Sequence, residues 1–255
     1  MKLVAFSSDD VAGRNIAGIL VGELGISVGS VVEVEGNLKD KSGLPCSPEL
    51  LVVASRHKSK SGKPTLTCHA TGNYGVAGLG GVSGHLQLTN ALYLRRAFLL
   101  FREKQRQYGL PYDVSLEVTH HGPTELPFPL LYVEVGSSEK QWNDMNACRA
   151  AAEVVRELLL QEPEKIPTAI GFGGPHYAPN FSEVVDGVAL GHIMPKHAVE
   201  YASREMVLQM IKKTQPRPEF AVLDWKGLRG EERQRVTGIL SETGLPWKKT
   251  SELKA

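Results

Sequence analysis

The stretch LLVVASRHKSKSGKPTLTC at residues 50–68 holds the pattern that decides the fold. Its first five residues are continuously apolar, as in a strand of a parallel sheet that is covered on both faces. A basic loop at 56–64 then leads to a short strand at 65–68. Short apolar or alternating runs of the same kind recur in both directions along the chain, at 2–6, 31–34, 113–119, 130–135, 168–172 and 219–223.

Segments in which apolar residues recur at helical spacing separate these strands. They are predicted at 9–24, 90–107 and 138–160, from 195 onward and near 230–240. Ser138 and Gln141 form a capping box, which favours one long helix to Leu160, and Pro195 suits the first turn of a helix. The alternation predicts an α/β fold with a mostly parallel sheet flanked by helices. Since no repeat or linker is evident, we expect one domain over residues 1–255 with loop insertions.

The composition excludes several classes of protein. The 255 residues are 42% hydrophobic and 22% charged, which is typical of globular proteins and not of disordered or fibrous ones. The net charge of +1 neither requires nor excludes a nucleic-acid partner. Cys46, Cys68 and Cys148 form neither a CxxC pair nor a disulfide framework. No apolar run approaches the ~18 residues of a membrane span, and the N-terminus turns polar too early for a signal peptide, so we expect a cytoplasmic protein.

Five of the eight histidines follow predicted strands directly, namely His57, His69, His120, His121 and His176. Because the ligand crevice of an open parallel sheet lies outside the carboxyl ends of its strands, these imidazoles can converge on one site. Glu134 lies at the end of a fifth strand, in apolar surroundings that a carboxylate enters only with a partner. Imidazoles and carboxylates are the usual ligands of a catalytic zinc, so these six residues are the candidate metal ligands. The alternative is that each histidine is an ordinary hydrogen-bonded loop residue.

Two glycine-containing segments suit the binding of an anion. The sequence GFGG at 171–174 offers backbone N–H groups to a phosphate or carboxylate, although an ordinary tight turn would look the same. The sequence GHIMPKH at 191–197 runs into the helix predicted from Pro195, and a helix N-terminus beside Lys196 is an anion site. No GxSxG setting surrounds a serine, which disfavours a serine hydrolase.

Six motifs together resemble the archaeal and plant type of D-aminoacyl-tRNA deacylase. They are SRH at 55–57, TCHATGNYG at 67–75, EVTHHGPTELP at 117–127, EVGSSEKQW at 134–142, GFGGPHYAP at 171–179 and GHIMPKH at 191–197. The resemblance implies hydrolysis of the ester between a D-amino acid and the 3′-terminal ribose of tRNA, by a zinc-dependent monomer. It also implies a core similar to those of peptidyl-tRNA hydrolase and the purine nucleoside phosphorylases.

The resemblance implies roles for residues inside these motifs. His57, His120 and Glu134 are the expected catalytic residues. The expected contacts to the substrate are Asn73, Gly136, Ser137, Gly173, Gly174, His192 and Lys196. Two mechanisms stay open: attack by a metal-bound hydroxide, or a general base, Glu134 or a neutral histidine, acting on free water while backbone N–H groups stabilise the oxyanion.

Two functions of other classes also stay open. A transferase similar to the nucleoside phosphorylases would use the same glycine-rich loops and would require phosphate for turnover. A non-enzymatic RNA-binding module would use two clusters of cations and would keep its function without the histidines. These clusters are Arg56, Lys58, Lys60 and Lys63 in one loop, and Arg95, Arg102 and Arg106 on one helix.

Overall fold

The computed structural model describes residues 1–35 and 47–254, so Cys46 lies outside the described residues. The strands are β1 (Lys2–Ser7), β2 (Val31–Val34), β3 (Leu50–Lys58), β4 (Thr65–His69), β5 (Thr89–Asn90), β6 (Asp113–Leu116), β7 (Leu130–Ser137), β8 (Thr168–Phe172), β9 (Ala189–Met194), β10 (Thr214–Gln215), β11 (Phe220–Leu223) and β12 (Trp247–Lys249). The α-helices are α1 (Val11–Gly22), α2 (Ala91–Gln107), α3 (Glu139–Trp142), α4 (Met145–Leu160), α5 (Pro179–Ser182), α6 (Arg204–Lys213) and α7 (Gly230–Thr243). No helix in this described part is long and apolar enough to cross a membrane.

The strands form two main sheets. The first has the order β2-β1-β3-β7-β4-β6, and all its pairs are parallel except β4 with β7. The second has the order β12-β11-β8-β9 and is parallel throughout. Strands β5 and β10 form a separate two-stranded ladder. The prediction of an α/β fold with mostly parallel sheets flanked by helices is confirmed.

Both faces of the first sheet are covered, which explains the apolar run at 50–54. Successive side chains of a strand point to opposite faces. Val52 therefore lies in the core beneath α1 and α4, whereas Leu51 lies in a smaller apolar cluster on the other face. Helix α2 contacts both β4 and β9 and so joins the two sheets, while α6 and α7 pack on each other beside the second sheet.

Two predicted helices differ in the structure. The helix predicted over 138–160 is divided into α3 and α4, because Asp144 has an extended backbone and its carboxylate accepts hydrogen bonds from the first N–H groups of α4. The prediction of a helix that begins at Pro195 is wrong. Residues 189–194 form β9, Lys196–Tyr201 form a short 3₁₀ helix, and α6 begins after its own cap, Ser203. The strand predicted over 113–119 ends at Leu116.

Candidate active site

The five histidines converge, as predicted, but not at one edge of a parallel sheet, because β4 runs antiparallel to β7 and His57 and His69 lie beside opposite ends of β7. His57 and His69 lie in the last residues of β3 and β4, His120 and His121 follow β6, and His176 follows β8. The ring centroids are 4.3 Å apart for His69 and His120, 4.7 Å for His120 and His176, and 5.8 Å for His57 and His176. The first sheet therefore supplies four imidazoles and the second sheet supplies one.

Glu134 lies in the middle of β7 with its side chain inside this cluster. Its Oε2 is 3.5 Å from His57 Nδ1 and 3.6 Å from His69 Nε2. The strand is buried along its whole length, so the carboxylate is only 4% exposed. The sequence predicted a carboxylate at the end of a strand that would need a partner; the strand continues to Ser137, and the partners are His57 and His69.

Glu117 is a second buried carboxylate in the cluster, and the sequence analysis did not single it out. Its Oε1 is 3.1 Å from His57 Nδ1, and its Oε2 is 2.9 Å from His176 Nε2 and 3.5 Å from His120 Nε2. The residue follows β6 directly, three positions before His120. Strict alternation over 113–119 puts Glu117 on the same face as Ser115 and Thr119. The sequence feature that could have identified Glu117 is thus the polar face of a predicted strand that two histidines follow directly.

The electrostatics of the cluster separate its members into charged and neutral groups. Burial opposes charge on His57, but the hydrogen bond to Glu134 and the charges of Glu117 and Glu134 outweigh it and raise its pKa to about 9. Burial also opposes charge on the two carboxylates, yet the imidazoles around them lower the pKa of Glu117 to about 2 and the pKa of Glu134 well below its usual value. Burial lowers the pKa of His120 to about 3 and that of His121 well below its usual value, so both imidazoles are neutral.

The donor atoms fit a metal ion. His69, His120 and His121 place one donor atom each within 4.8 Å of one another. Each of these rings has Nδ1 within 3.1 Å of a main-chain carbonyl oxygen, which assigns an N–H to Nδ1 and leaves the lone pair of the neutral His120 and His121 on Nε2. Burial opposes charge on His69, but Glu134 and Glu117 outweigh it and raise its pKa, so a metal ion there would replace the proton on Nε2. Such outer hydrogen bonds orient histidine ligands in metal sites.

Two further triads offer donor atoms within the same mutual distance: His57 with Glu117 and His176, and His69 with Glu117 and Glu134. His69 Nε2 and both oxygens of Glu117 are buried without a well-oriented hydrogen bond to any residue in the described ranges. Short N–O distances without hydrogen-bond geometry are expected where lone pairs point at a common centre. The residues therefore fit a zinc ion or a similar cation.

A cavity of about 500 Å³ opens over the cluster. Glu134, His120 and His176 line its polar wall, and the exposed side chains of Arg56 and Lys58 lie at its rim. Its volume is in the range of small-molecule sites. Its composition suits a ligand with one reactive group at the histidines and negative charge at the rim.

The rim is held by Asp10, which sequence reasoning also missed. Its side chain caps α1 and accepts hydrogen bonds from Ser55 Oγ at 2.9 Å and from the Arg56 backbone N–H at 2.8 Å. The Arg56 guanidinium lies 5.2 Å from the Trp142 ring. The indole N–H of Trp142 in turn donates to the carbonyl of His57. These contacts couple the rim to the histidine cluster.

Three of the predicted substrate contacts lie beside the cavity as supporting residues. A Cβ atom at Gly136 would be 2.7 Å from His57 Cβ, so glycine allows the imidazole to pack against β7. Ser137 is buried and donates to the Lys63 carbonyl at 2.6 Å. Asn73 Nδ2 donates to the Gly80 carbonyl at 2.9 Å and so orders the loop that carries a cavity-lining leucine. Their assignment as substrate contacts stays a prediction.

The other four lie away from the cavity. His192 is fully buried in β9, with Nε2 2.9 Å from the Gln87 carbonyl oxygen, and does not line the cavity. Gly173, Gly174 and Lys196 lie at the end of the second sheet, where the Lys196 N–H donates to the Gly174 carbonyl at 3.0 Å. Because only a short 3₁₀ helix begins there, the predicted anion site at an α-helix N-terminus is absent from these described residues.

Comparisons with known proteins identify the family of this chain. The family model described as D-aminoacyl-tRNA deacylase matches residues 44–248. A protein of that name from Methanosarcina barkeri is 38% identical over 218 residues, which are 84% of this chain and 69% of the relative. Another from Pyrococcus furiosus is 38% identical over 200 residues, or 78% of this chain and 72% of the relative. The crystal structure of a conserved protein of unknown function superposes with a TM-score of 0.91 at 28% identity and covers 100% of this chain and 96% of that one. The chain belongs to the D-aminoacyl-tRNA deacylase family.

Proposed function

We propose that this protein hydrolyses the ester bond of D-aminoacyl-tRNA and releases the free D-amino acid and tRNA. The observation that carries the proposal is the cluster of five histidines and two buried carboxylates in a cavity of about 500 Å³. Relatives named for this activity share most of the chain. Neither alternative function, a phosphorylase or an RNA-binding module, is favoured by those relatives.

We further propose zinc as the cofactor, with His69, His120 and His121 as its ligands. A bound zinc lowers the pKa of water to ~7 and polarises an ester carbonyl. The neutral state of His120 supports this role, because a histidine with a pKa of about 3 is a poor general base but a good ligand. Glu134 is a weak base for the same reason, since its pKa is well below the usual value.

His57 is suited to donate a proton. It holds one at neutral pH because Glu117 and Glu134 both lie against its Nδ1. Its other ring nitrogen, Nε2, is 3.0 Å from the Tyr177 hydroxyl. A proton on Nε2 can pass, directly or through Tyr177, to the ribose oxygen that leaves when the ester breaks. The two carboxylates thereby hold the imidazole in the orientation that this transfer needs.

The test compares tyrosine release from D-tyrosyl-tRNA and from L-tyrosyl-tRNA, with and without a chelator, in phosphate-free buffer. We expect faster release from the D-ester, loss of the rate after chelation, and recovery when zinc is added back. Equal rates on both esters, or no release from either, contradict the deacylase proposal. Full activity in a preparation shown to be free of metal contradicts the proposal of a zinc cofactor and leaves the deacylase proposal standing. A requirement for phosphate would instead indicate the phosphorylase-like reaction.

A further inference from the structure

The carboxyl edge of the second sheet carries a surface that the catalytic cluster does not use. Strand β12 ends at Lys249, which lies beside Leu223 at the end of β11, and Leu223 lies beside Phe172 at the end of β8. The turn after β11 presents Trp225, and the turn after β8 leads to His176 of the catalytic cluster. One continuous edge therefore runs from Lys249 to the candidate active site.

A pair of stacked tryptophans lies next to the far end of this edge: Trp247 opens the outermost strand β12 beside Ala221, and Trp225 follows β11. The rings of Trp225 and Trp247 stack with centroids 5.5 Å apart and an angle of 6° between their planes. Arg233 and Lys249 each place their charge 4.9 Å from the Trp225 ring. Trp247 is 36% exposed, and within residues 1–35 and 47–254 its only ring or cation contact is with Trp225. The part of the Trp247 side chain that remains exposed can contact a planar ligand.

Unpaired positive charge accompanies the stacked tryptophans. Six cations lie on this part of the chain, and in the described residues none of them forms an ion pair with a carboxylate: Lys196, Lys226, Arg229, Arg233, Lys248 and Lys249. Two neighbouring carboxylates are already engaged by main-chain N–H groups, since Glu232 accepts from Arg229 and Glu252 from Lys249, both at 2.6 Å. The edge therefore offers free positive charge to a polyanion.

A cleft of about 690 Å³ lies between the turns that follow β8 and β11. Its walls include Gly174, Lys196, Gly227 and Arg229, together with the carboxylates Glu200 and Glu232. A Cβ atom at Gly227 would lie 3.1 Å from the Gly174 nitrogen, so the turn after β11 touches the turn after β8. That second turn continues into His176, which lines the catalytic cavity. The cleft and the cavity lie on the two sides of one turn.

We propose that this edge, the tryptophan edge (Trp225, Trp247, Lys249, Arg229 and Lys196), binds the single-stranded 3′ end of the RNA that carries the ester. The proposal rests on the proposed function. Single-stranded nucleic acid is bound by aromatic side chains that stack on its bases and by cations that contact its phosphates. Strands β12 and β8 are separated by β11, so the distance between them is two strand spacings, or roughly 10 Å. About three nucleotides of a single strand, at ~3.4 Å each, cover this distance. An acidic protein segment would use the cations but not the flat indole face.

Binding of uncharged RNA to the full chain tests the proposal without any need for hydrolysis. The probe is a tRNA acceptor hairpin that ends in a single-stranded CCA, compared with the same hairpin lacking these three nucleotides. We expect the complete hairpin to quench tryptophan fluorescence and to bind more tightly. Trp247→Ala should weaken its binding at least about fivefold, whereas Trp247→Phe should retain most of the affinity.

A second variant leaves the stacked pair and the cations over it unchanged. Lys196→Ala/Arg229→Ala removes two exposed cations of the cleft, and we expect it to reduce the salt slope of hairpin binding by about two phosphate contacts. The control is Lys165→Ala, an exposed cation that precedes β8 at the opposite edge of the same sheet and should change nothing. On D-tyrosyl-tRNA, Trp247→Ala and the double variant should raise KM with little change in kcat.

The outcomes separate this proposal from the proposed function. Hairpin binding that is unchanged in both variants overturns the tryptophan edge while leaving the deacylase activity standing. Equal binding of the hairpin without CCA, or equally strong binding of polyglutamate, overturns it as well. Hairpin binding that depends on Trp247, in a protein that hydrolyses neither ester, supports the edge and overturns the deacylase proposal.

Discussion

Substitution of Glu117 by Gln removes one negative charge from the centre of the cluster and keeps the shape of the side chain. The carboxylate contacts three imidazoles, through His57 Nδ1 at 3.1 Å, His176 Nε2 at 2.9 Å and His120 Nε2 at 3.5 Å. The side chain is fully buried, so water cannot replace the lost charge. We expect losses both of stability in the metal-free protein and of activity in the metal-loaded one.

The size of the stability loss follows from what remains beside His57. Removing one partner of a buried ion pair costs about 3–5 kcal/mol, because the other charge stays buried. With a pKa of about 9, His57 is a cation at pH 7. Glu134 still lies 3.5 Å from the same nitrogen and compensates part of that charge. We therefore expect a loss near the lower end, about 3 kcal/mol.

Urea unfolding at pH 7 in the presence of a chelator measures the free energy of unfolding, and single-turnover deacylation measures the activity. We expect the single-turnover rate constant to fall at least ~100-fold, because Glu117 contacts both the proposed proton donor His57 and the proposed metal ligand His120. Glu125→Gln removes an exposed carboxylate and should change stability by less than about 0.5 kcal/mol.

A stability loss below about 1 kcal/mol would refute the reasoning, since no buried charge would then have been left uncompensated. A double-mutant cycle with His57→Gln gives a second criterion. The two substitutions remove the same contact, so the pair should cost less than the sum of the singles, by more than about 0.5 kcal/mol. Additive effects would mean that Glu117 and His57 do not interact.

Three further substitutions or reactions have definite expected outcomes. Gly136→Ala should displace His57, lower kcat at least ~10-fold and destabilise the protein by about 1–3 kcal/mol. The control is Gly18→Ala, which adds a methyl group in open space on α1 and should change neither kcat nor stability. Deacylation kinetics and urea unfolding measure the two effects. The Cys68 thiol is fully buried and burial raises its pKa, so peptide mapping after alkylation at pH 8 should find it unmodified until the protein is unfolded. Lys196→Ala should raise KM several-fold with little change in kcat, because a phosphate contact acts equally on ground and transition states; a kcat loss at constant KM would place Lys196 in the chemistry instead.

The convergence of the histidines was predicted from a local pattern, because each imidazole comes at or directly after the end of an apolar run. The rule behind that prediction, that parallel strands bring their carboxyl ends to one edge, does not hold here: β4 is antiparallel to β7, so His57 lies beside Gly136 near the end of β7 and His69 beside Tyr132 near its start. The continuous apolar run at 50–54 likewise predicted a sheet covered on both faces, which the clusters around Val52 and Leu51 confirm. Both inferences need only side-chain type and spacing.

Glu117 could not be identified in this way because its burial depends on distant residues. The alternation over 113–119 shows a polar face, and a polar strand face usually meets solvent. In the structure the turn after β8 covers it, since the Val118 N–H donates to the His176 carbonyl at 3.0 Å and the Leu116 N–H to Ser182 Oγ at 3.0 Å. Partners some sixty positions away leave no trace in the local sequence.

His192 was assigned to the substrate for a similar reason. The motif GHIMPKH looks like a loop before a helix, yet residues 189–194 form a buried strand. The imidazole Nε2 is hydrogen-bonded to the Gln87 carbonyl oxygen, and Nδ1 lies 3.2 Å from Thr119 Oγ1. Both ring nitrogens therefore have partners from other parts of the chain. Burial lowers its pKa to about 4 and keeps it neutral. Only the packing of the two sheets distinguishes such a core histidine from a ligand.

The most direct test of the central claim is the single-turnover rate of D-tyrosine release by wild-type protein and by His120→Ala. His120 lies against His69, His121 and His176 at the centre of the cluster. If the cluster is the hydrolytic centre, the rate constant falls at least ~100-fold while the affinity for uncharged tRNA stays the same. An unchanged rate constant in His120→Ala would contradict the account and place the chemistry outside the histidine cluster.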